Sequence, residues 1–73
     1  MAASAQSALL DTILICEGET TPPGKTEEEQ ERAYFAAWQS LIDAGLVWQL
    51  QGWYGRTAAY YIGTGYCRGE VPR

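Results

Sequence analysis

The chain has 73 residues, which is enough for one small domain and too few for two separate hydrophobic cores. Its composition, 47% apolar and 19% charged, excludes an intrinsically disordered chain, because disorder accompanies low hydrophobicity and high net charge. The net charge of −4 disfavours direct nucleic-acid binding, since an acidic chain does not neutralise phosphates.

The first predicted helix spans residues 7–17. Four apolar side chains recur there at helical spacing and share one face: Leu9, Leu10, Ile13 and Leu14. Ser7 is a suitable N-cap, and Gly18 is a suitable residue to end the helix. A short strand over residues 12–16 is the alternative, because the segment contains β-branched side chains. We expect residues 1–6 to be a frayed end.

A loop over residues 19–25 precedes the second predicted helix, because its two prolines cannot continue a helix. Thr26 and Glu29 match a capping box, in which the threonine hydroxyl and the glutamate carboxylate each bond a main-chain N–H group at the start of a helix. The helix dipole favours the four acids placed in its first two turns: Glu27, Glu28, Glu29 and Glu31. Gly45 supplies the left-handed conformation that ends the helix.

Residues 46–51 connect the second helix to the third. Their alternating pattern predicts a short extended, aromatic connector with one set of side chains turned inward: Leu46, Trp48 and Leu50. Gly52 and Gly55 bracket a turn that follows the connector. A third helix is expected over residues 56–64, and a frayed tail over residues 68–73. The sequence therefore predicts a mainly α fold, a single small three-helix domain over residues 1–73.

Catalytic and metal-binding side chains are few. The sequence has no histidine, and Cys16 and Cys67 cannot by themselves supply the four nitrogen or sulfur ligands of a structural zinc site. We therefore expect no enzymatic activity, no metal and no cofactor. Residues 1–7 carry no Lys or Arg, and no apolar run approaches roughly 20 residues, so we expect neither a secretory signal nor a membrane span. Two buried thiols in a reducing compartment are the favoured interpretation, and a disulfide between them is the alternative.

Residues 18–26 look like a phosphate-binding loop, because Gly24-Lys25-Thr26 follows an earlier glycine and precedes a helix. The motif needs four residues between its first glycine and the Gly-Lys-Thr triplet, whereas five residues separate Gly18 from Gly24. A plain loop followed by a capped helix is the favoured interpretation, with no small-molecule ligand. Nucleotide binding is the alternative.

Trp53, Tyr54 and Arg56 are the candidate partner-binding residues. They lie in or beside the glycine-bracketed turn, and such a turn belongs at the surface because a buried loop would strand main-chain polar groups. Trp, Tyr and Arg are also the residue types enriched among interface hot spots. The alternative is that one of the two aromatic side chains folds back over the core.

Residues 41–67 resemble a family of small proteins encoded by tailed bacteriophages, mostly of unassigned function. The most specific part of the resemblance is the segment Leu50-Gln-Gly-Trp-Tyr-Gly-Arg-Thr-Ala58, and the resemblance extends over about two-thirds of the chain, including the second helix. Trp53 stands where this family usually has a smaller or polar residue, which suggests a specialised contact.

The resemblance implies a protein that works in the host cytoplasm by binding a host macromolecule. One phage protein of this size class is a transcription regulator that binds host RNA polymerase, inhibits initiation and promotes antitermination, and we expect a similar role here. The expected partner is therefore a host protein, with RNA polymerase favoured, and neither nucleic acid nor a membrane is an expected direct partner. The alternative is a phage accessory protein that acts through self-association or another host protein.

Overall fold

A computed structural model of the protein describes residues 2–50 and 52–71, with side chains described for residues 9–50 and 52–71. It contains three α-helices, α1 (Ala2–Cys16), α2 (Glu27–Asp43) and α3 (Gly52–Thr64), with a short 3₁₀ helix at Leu46–Trp48. The chain is 66% helical, and the described residues form no β-strand. The prediction of a mainly α, three-helix fold is confirmed.

The chain divides into two compact units, Met1–Ala37 and Trp38–Arg73, and the boundary between them falls inside α2. The single domain over residues 1–73 stays a prediction. Of the expected frayed ends, residue 1 and residues 72–73 lie outside the described residues.

In the first unit, α1 begins at Ala2. The predicted start of the helix at residue 7 is therefore wrong, and the fraying of residues 2–6 stays a prediction. The physical reason is composition, since the first turns are rich in alanine, the strongest helix former. The strand alternative for residues 12–16 is also wrong, because α1 continues to Cys16. Gly18 ends the helix as predicted, with a positive φ of 79°.

The start of α2 carries the predicted capping box. The Glu29 N–H group donates to Oγ1 of Thr26 at 3.1 Å, and Oε2 of Glu29 accepts the N–H group of Thr26 at 3.1 Å. The same Oε2 accepts the N–H group of Lys25 at 2.8 Å. The segment before it, including the predicted loop over residues 19–25, is non-helical. Two side chains therefore satisfy three main-chain donors at the beginning of α2.

In the second unit, α2 ends at Asp43 and Gly45 adopts the predicted left-handed conformation, with φ of 74°. The connector that follows is not extended, because Leu46–Trp48 forms a 3₁₀ helix whose carbonyl at Leu46 accepts N–H groups from Gln49 and Leu50. An extended segment would have needed a neighbouring strand for these groups, and the described residues contain none. The 3₁₀ helix also buries Val47, whereas the alternating pattern pointed Leu46 and Trp48 inward.

The third helix begins at Gly52, so the residues expected to form a turn make up the first turn of α3. Tertiary packing overrides the weak helix propensity of glycine here, since α3 packs against the 3₁₀ helix and the ring of Trp48 lies beside Gly55. The helix ends at Thr64, followed by Gly65 with φ of 89°. Arg68, the first residue of the expected frayed tail, is bonded through its main chain to the side chain of Gln39.

Candidate partner-binding site

The three predicted site residues all lie in the first turns of α3, but they differ in exposure. Trp53 is half-buried, Arg56 is exposed, and Tyr54 is only 5% exposed. Tyr54 therefore lies in the core and not at the surface, where the expected turn would have placed it. A helix turns about 100° per residue, so Tyr54 points inward with Ala58, one turn later, which is fully buried.

Trp38, with no exposed surface, lies at the centre of an aromatic cluster that supports Trp53. Its ring centroid is 5.5 Å from that of Tyr61, 5.8 Å from that of Tyr54 and 6.2 Å from that of Trp53. Trp53 also lies against Tyr54, with centroids 4.0 Å apart and ring planes inclined at 31°. Such pairs add about 0.5–1.5 kcal/mol to the effect of buried area. One side of the Trp53 indole is thereby held by buried rings, while part of it remains open to solvent.

Tyr60 belongs to the same outer surface and was missed by the sequence reasoning. Its side chain is 63% exposed. Positions 53, 56 and 60 have the spacing i, i+3 and i+7, which puts Trp53, Arg56 and Tyr60 on one side of α3. We call these three residues the α3 face. The signal was present in the sequence, but it is visible only when the helix is started at Gly52.

A second exposed ring follows the end of α3. Tyr66 is 56% exposed, and its ring meets that of Tyr61 edge-on at 6.2 Å. Tyr61 also contacts Tyr60 at 5.8 Å and Trp38 at 5.5 Å. Tyr60 and Tyr66 therefore contact the buried ring of Trp38 through Tyr61. Trp53 contacts the ring of Trp38 directly.

Arg56 gives the α3 face a positive charge. A Cβ atom added at Gly52 would lie 3.2 Å from Nη1 of Arg56, so the guanidinium folds back over the first turn of the helix. Arg56 has no ion pair or hydrogen bond within the part of the chain that the structure describes. The α3 sequence contains no acidic residue, whereas α2 contains five acids and Arg32, which pairs with Glu28 at 3.4 Å.

In the loop that resembles a phosphate-binding motif, the two main-chain donors beside the helix start are already occupied. The N–H groups of Lys25 and Thr26 both point at the carboxylate of Glu29, and a phosphate in this loop would have to displace that carboxylate. The arrangement supports the interpretation of a plain loop and a capped helix. Among the described residues, no cluster of acidic or cysteine side chains is suited to hold a metal ion.

Both cysteines are buried, and neither belongs to a disulfide, as the favoured interpretation expected. Burial raises the pKa of the Cys67 thiol, and the negative charge of Asp43 raises it further. The helices in the described part of the chain are too short or too polar to cross a membrane.

Comparison with protein families gives a match over most of the chain. The family described as a domain of unknown function, DUF7417, matches residues 24–71, about two-thirds of the chain. The protein belongs to the DUF7417 family. The matched DUF7417 segment begins at Gly24, so it contains the capping box, α2 and all of α3, while α1 precedes it. Searches of curated proteins and of solved structures each found no match.

Proposed function

We propose that this DUF7417 protein is a phage-encoded regulator that binds host RNA polymerase and inhibits initiation, promotes antitermination, or does both. The observation that carries its binding role is the half-exposed Trp53, supported by the buried rings of Trp38 and Tyr54 and placed one turn from Arg56. Aromatic and arginine side chains held in this way typically dominate interface energy. The choice of polymerase and of the host cytoplasm rests on the resemblance of residues 41–67 to small phage proteins.

The α3 face suits a protein partner for an energetic reason as well. Binding costs free energy when flexible side chains become ordered, at about 0.5–1.5 kcal/mol for each rotamer-rich side chain. The ring of Trp53 is already confined by Tyr54 at 4.0 Å and by Trp38 at 6.2 Å. A partner that covers Trp53 therefore gains buried area with little ordering cost.

The test uses purified bacterial RNA polymerase and biolayer interferometry, with a transcription assay on a template that carries a promoter and a terminator. Wild-type protein is expected to bind and to reduce initiation or increase terminator read-through. Trp53→Ala should weaken binding by about 2 kcal/mol or more, mainly through faster dissociation. Trp48→Ala is the matched control, because Trp48 is also a half-buried tryptophan but is not part of the α3 face.

Urea unfolding of each variant separates a lost contact from a lost fold. If polymerase does not bind the wild-type protein, the proposed target is wrong. If Trp48→Ala and Trp53→Ala weaken binding equally at equal stability, the α3 face is not the contact.

Self-association is the second candidate function, favoured by two exposed leucines on α1. Leu9 is 43% exposed and Leu10 is 57% exposed. Adjacent exposed apolar side chains are a feature of surfaces that associate. A self-associating accessory protein should form a concentration-dependent dimer in light scattering, and Leu10→Glu should return it to monomer. A wild-type monomer at all accessible concentrations would contradict this candidate.

A further inference from the structure

We infer that the α3 face binds an acidic amphipathic helix of the partner protein, whose carboxylates pair with Arg56 and whose apolar side chains cover Trp53 and Tyr60. This inference rests on the proposed function only in taking the α3 face as the binding surface. It adds the chemistry of the partner segment, which that proposal leaves open.

The length and spacing of the α3 face fit a helix. Trp53 and Tyr60 are seven residues apart, so they are separated by about 10 Å along α3, or two helical turns. Arg56 lies between them on the same side of α3. Strand addition, the other common way to bind an extended segment, needs an exposed sheet edge, and the described residues contain no strand.

The charge of the α3 face selects a carboxylate. The Arg56 guanidinium has no acidic partner within the described residues, and α3 itself contains no acid. A guanidinium presents a planar fork of donors that matches the two oxygens of a carboxylate. Aromatic rings before and after it on the helix would partly exclude water from such a pair, which strengthens the pair.

A nucleic acid would also bring anions and would stack on aromatic rings, but the whole-chain charge argues against it. One arginine on the α3 face neutralises one phosphate, whereas the chain carries a net charge of −4. A short acidic helix can place its carboxylates near Arg56 alone, so a protein segment is the better match.

The experiment measures binding of synthetic peptides by isothermal titration calorimetry. Three peptides of about 15 residues, roughly four helical turns, share one leucine pattern and carry Glu, Gln or Lys on the polar side. Oligouridine is the fourth ligand. The wild-type protein should bind the Glu peptide tightest and the Lys peptide weakest, with a difference of about tenfold between them. Arg56→Glu should reverse this order.

Arg32→Glu is the matched control, because it makes the same charge change at an exposed arginine of α2. It should leave the order of the three peptides unchanged. Tyr60→Ala should weaken all three peptides alike, since it removes apolar contact area and no charge. Urea unfolding confirms that each variant is folded before titration.

Four results would overturn the inference. Two concern the wild-type protein and the peptides: no binding of the Glu peptide, or equal affinity for the Glu and Lys peptides. The other two are the same change in the order of peptide affinities in Arg32→Glu as in Arg56→Glu, and tighter binding of oligouridine than of the Glu peptide. The peptides contain no polymerase sequence, so the two proposals fail separately. A preference for the Glu peptide without polymerase binding removes only the proposed target. Polymerase binding that depends on Trp53, without any preference among the peptides, removes only the inference.

Discussion

The side chain of Gln39 holds the main chain of Arg68 through two hydrogen bonds. The N–H group of Arg68 donates to Oε1 of Gln39 at 2.7 Å, and Nε2 of Gln39 donates to the carbonyl of Arg68 at 2.8 Å. Nε2 also donates to Oδ1 of Asp43 at 2.9 Å. One side chain of α2 therefore satisfies both polar groups of a residue that lies beyond the end of α3.

Gln39→Ala should lower the free energy of unfolding by about 1–2 kcal/mol, because it removes these hydrogen bonds together. Urea denaturation measures the change. Hydrogen exchange at the Arg68 amide should also become faster. Gln49→Ala is the matched control, since Gln49 has an exposed side chain, and it should change stability by less than about 0.5 kcal/mol. Equal effects of the two variants would show that the bonds to Arg68 contribute nothing.

Thr26→Ala should destabilise the protein by about 1 kcal/mol, because the N–H group of Glu29 loses its hydroxyl acceptor. Thr26→Ser keeps the acceptor and should retain most of the stability. Thr21→Ala, in the preceding loop, serves as the control and should leave the melting temperature nearly unchanged. A Thr26→Ala protein that melts normally but no longer binds its partner would give the loop a functional role instead.

Alanine substitutions at Gly69 and Gly63 should change the stability of the protein in opposite directions. Gly69 has φ of 145°, and a Cβ atom there would lie 2.9 Å from Cγ2 of Ile42, so Gly69→Ala should cost at least about 1 kcal/mol. Gly63 lies in α3 with nothing within 4 Å of an added Cβ atom. Gly63→Ala should raise stability by about 0.5–1 kcal/mol through helix propensity. Thermal unfolding of both variants checks the signs, and a change in the same direction would contradict the geometry.

The raised pKa of Cys67 predicts a loss of stability at alkaline pH. The unfolded chain releases the thiol proton above about pH 8.5, whereas the folded protein keeps it to higher pH. Unfolding therefore releases a proton in this pH range. The contribution of Cys67 to the free energy of unfolding is fully present at lower pH and declines as the pH rises. The free energy of unfolding measured between pH 8 and pH 10, roughly the thiol range, should fall less steeply in Cys67→Ala. Parallel pH curves for the wild-type protein and Cys67→Ala would show that burial does not raise the pKa of this thiol.

The parts of the fold that were predicted correctly are those set by neighbours along the chain. The capping box at Thr26 and the left-handed Gly45 depend on a few adjacent residues, and both are present in the structure. The 3₁₀ helix at Leu46–Trp48 was not predicted, since a three-residue pattern of apolar side chains does not separate a tight helix from an extended segment.

The start of α3 explains why Tyr54 was predicted at the surface and why Tyr60 was not predicted as part of the candidate site. A glycine on each side of Trp53 and Tyr54 indicates a turn by local rules. The helix forms there because these two rings pack against Trp38, which lies fifteen and sixteen residues earlier in the chain. Local sequence does not reveal that contact. When the helix begins at Gly52, Tyr54 points into the core, and Tyr60 lies on the same side of α3 as Trp53 and Arg56.

The different surroundings of Trp38 and Trp53 give the protein an optical signal of its own. An indole shielded from water emits at shorter wavelength than a hydrated one, and Trp38 has no exposed surface while Trp53 is half-exposed. In a Trp48→Phe background only these two emitters remain. Iodide should then quench the redder component and spare the bluer one. A partner that covers Trp53 would protect the redder component and shift it towards the blue, so occupancy is readable from the unlabelled protein.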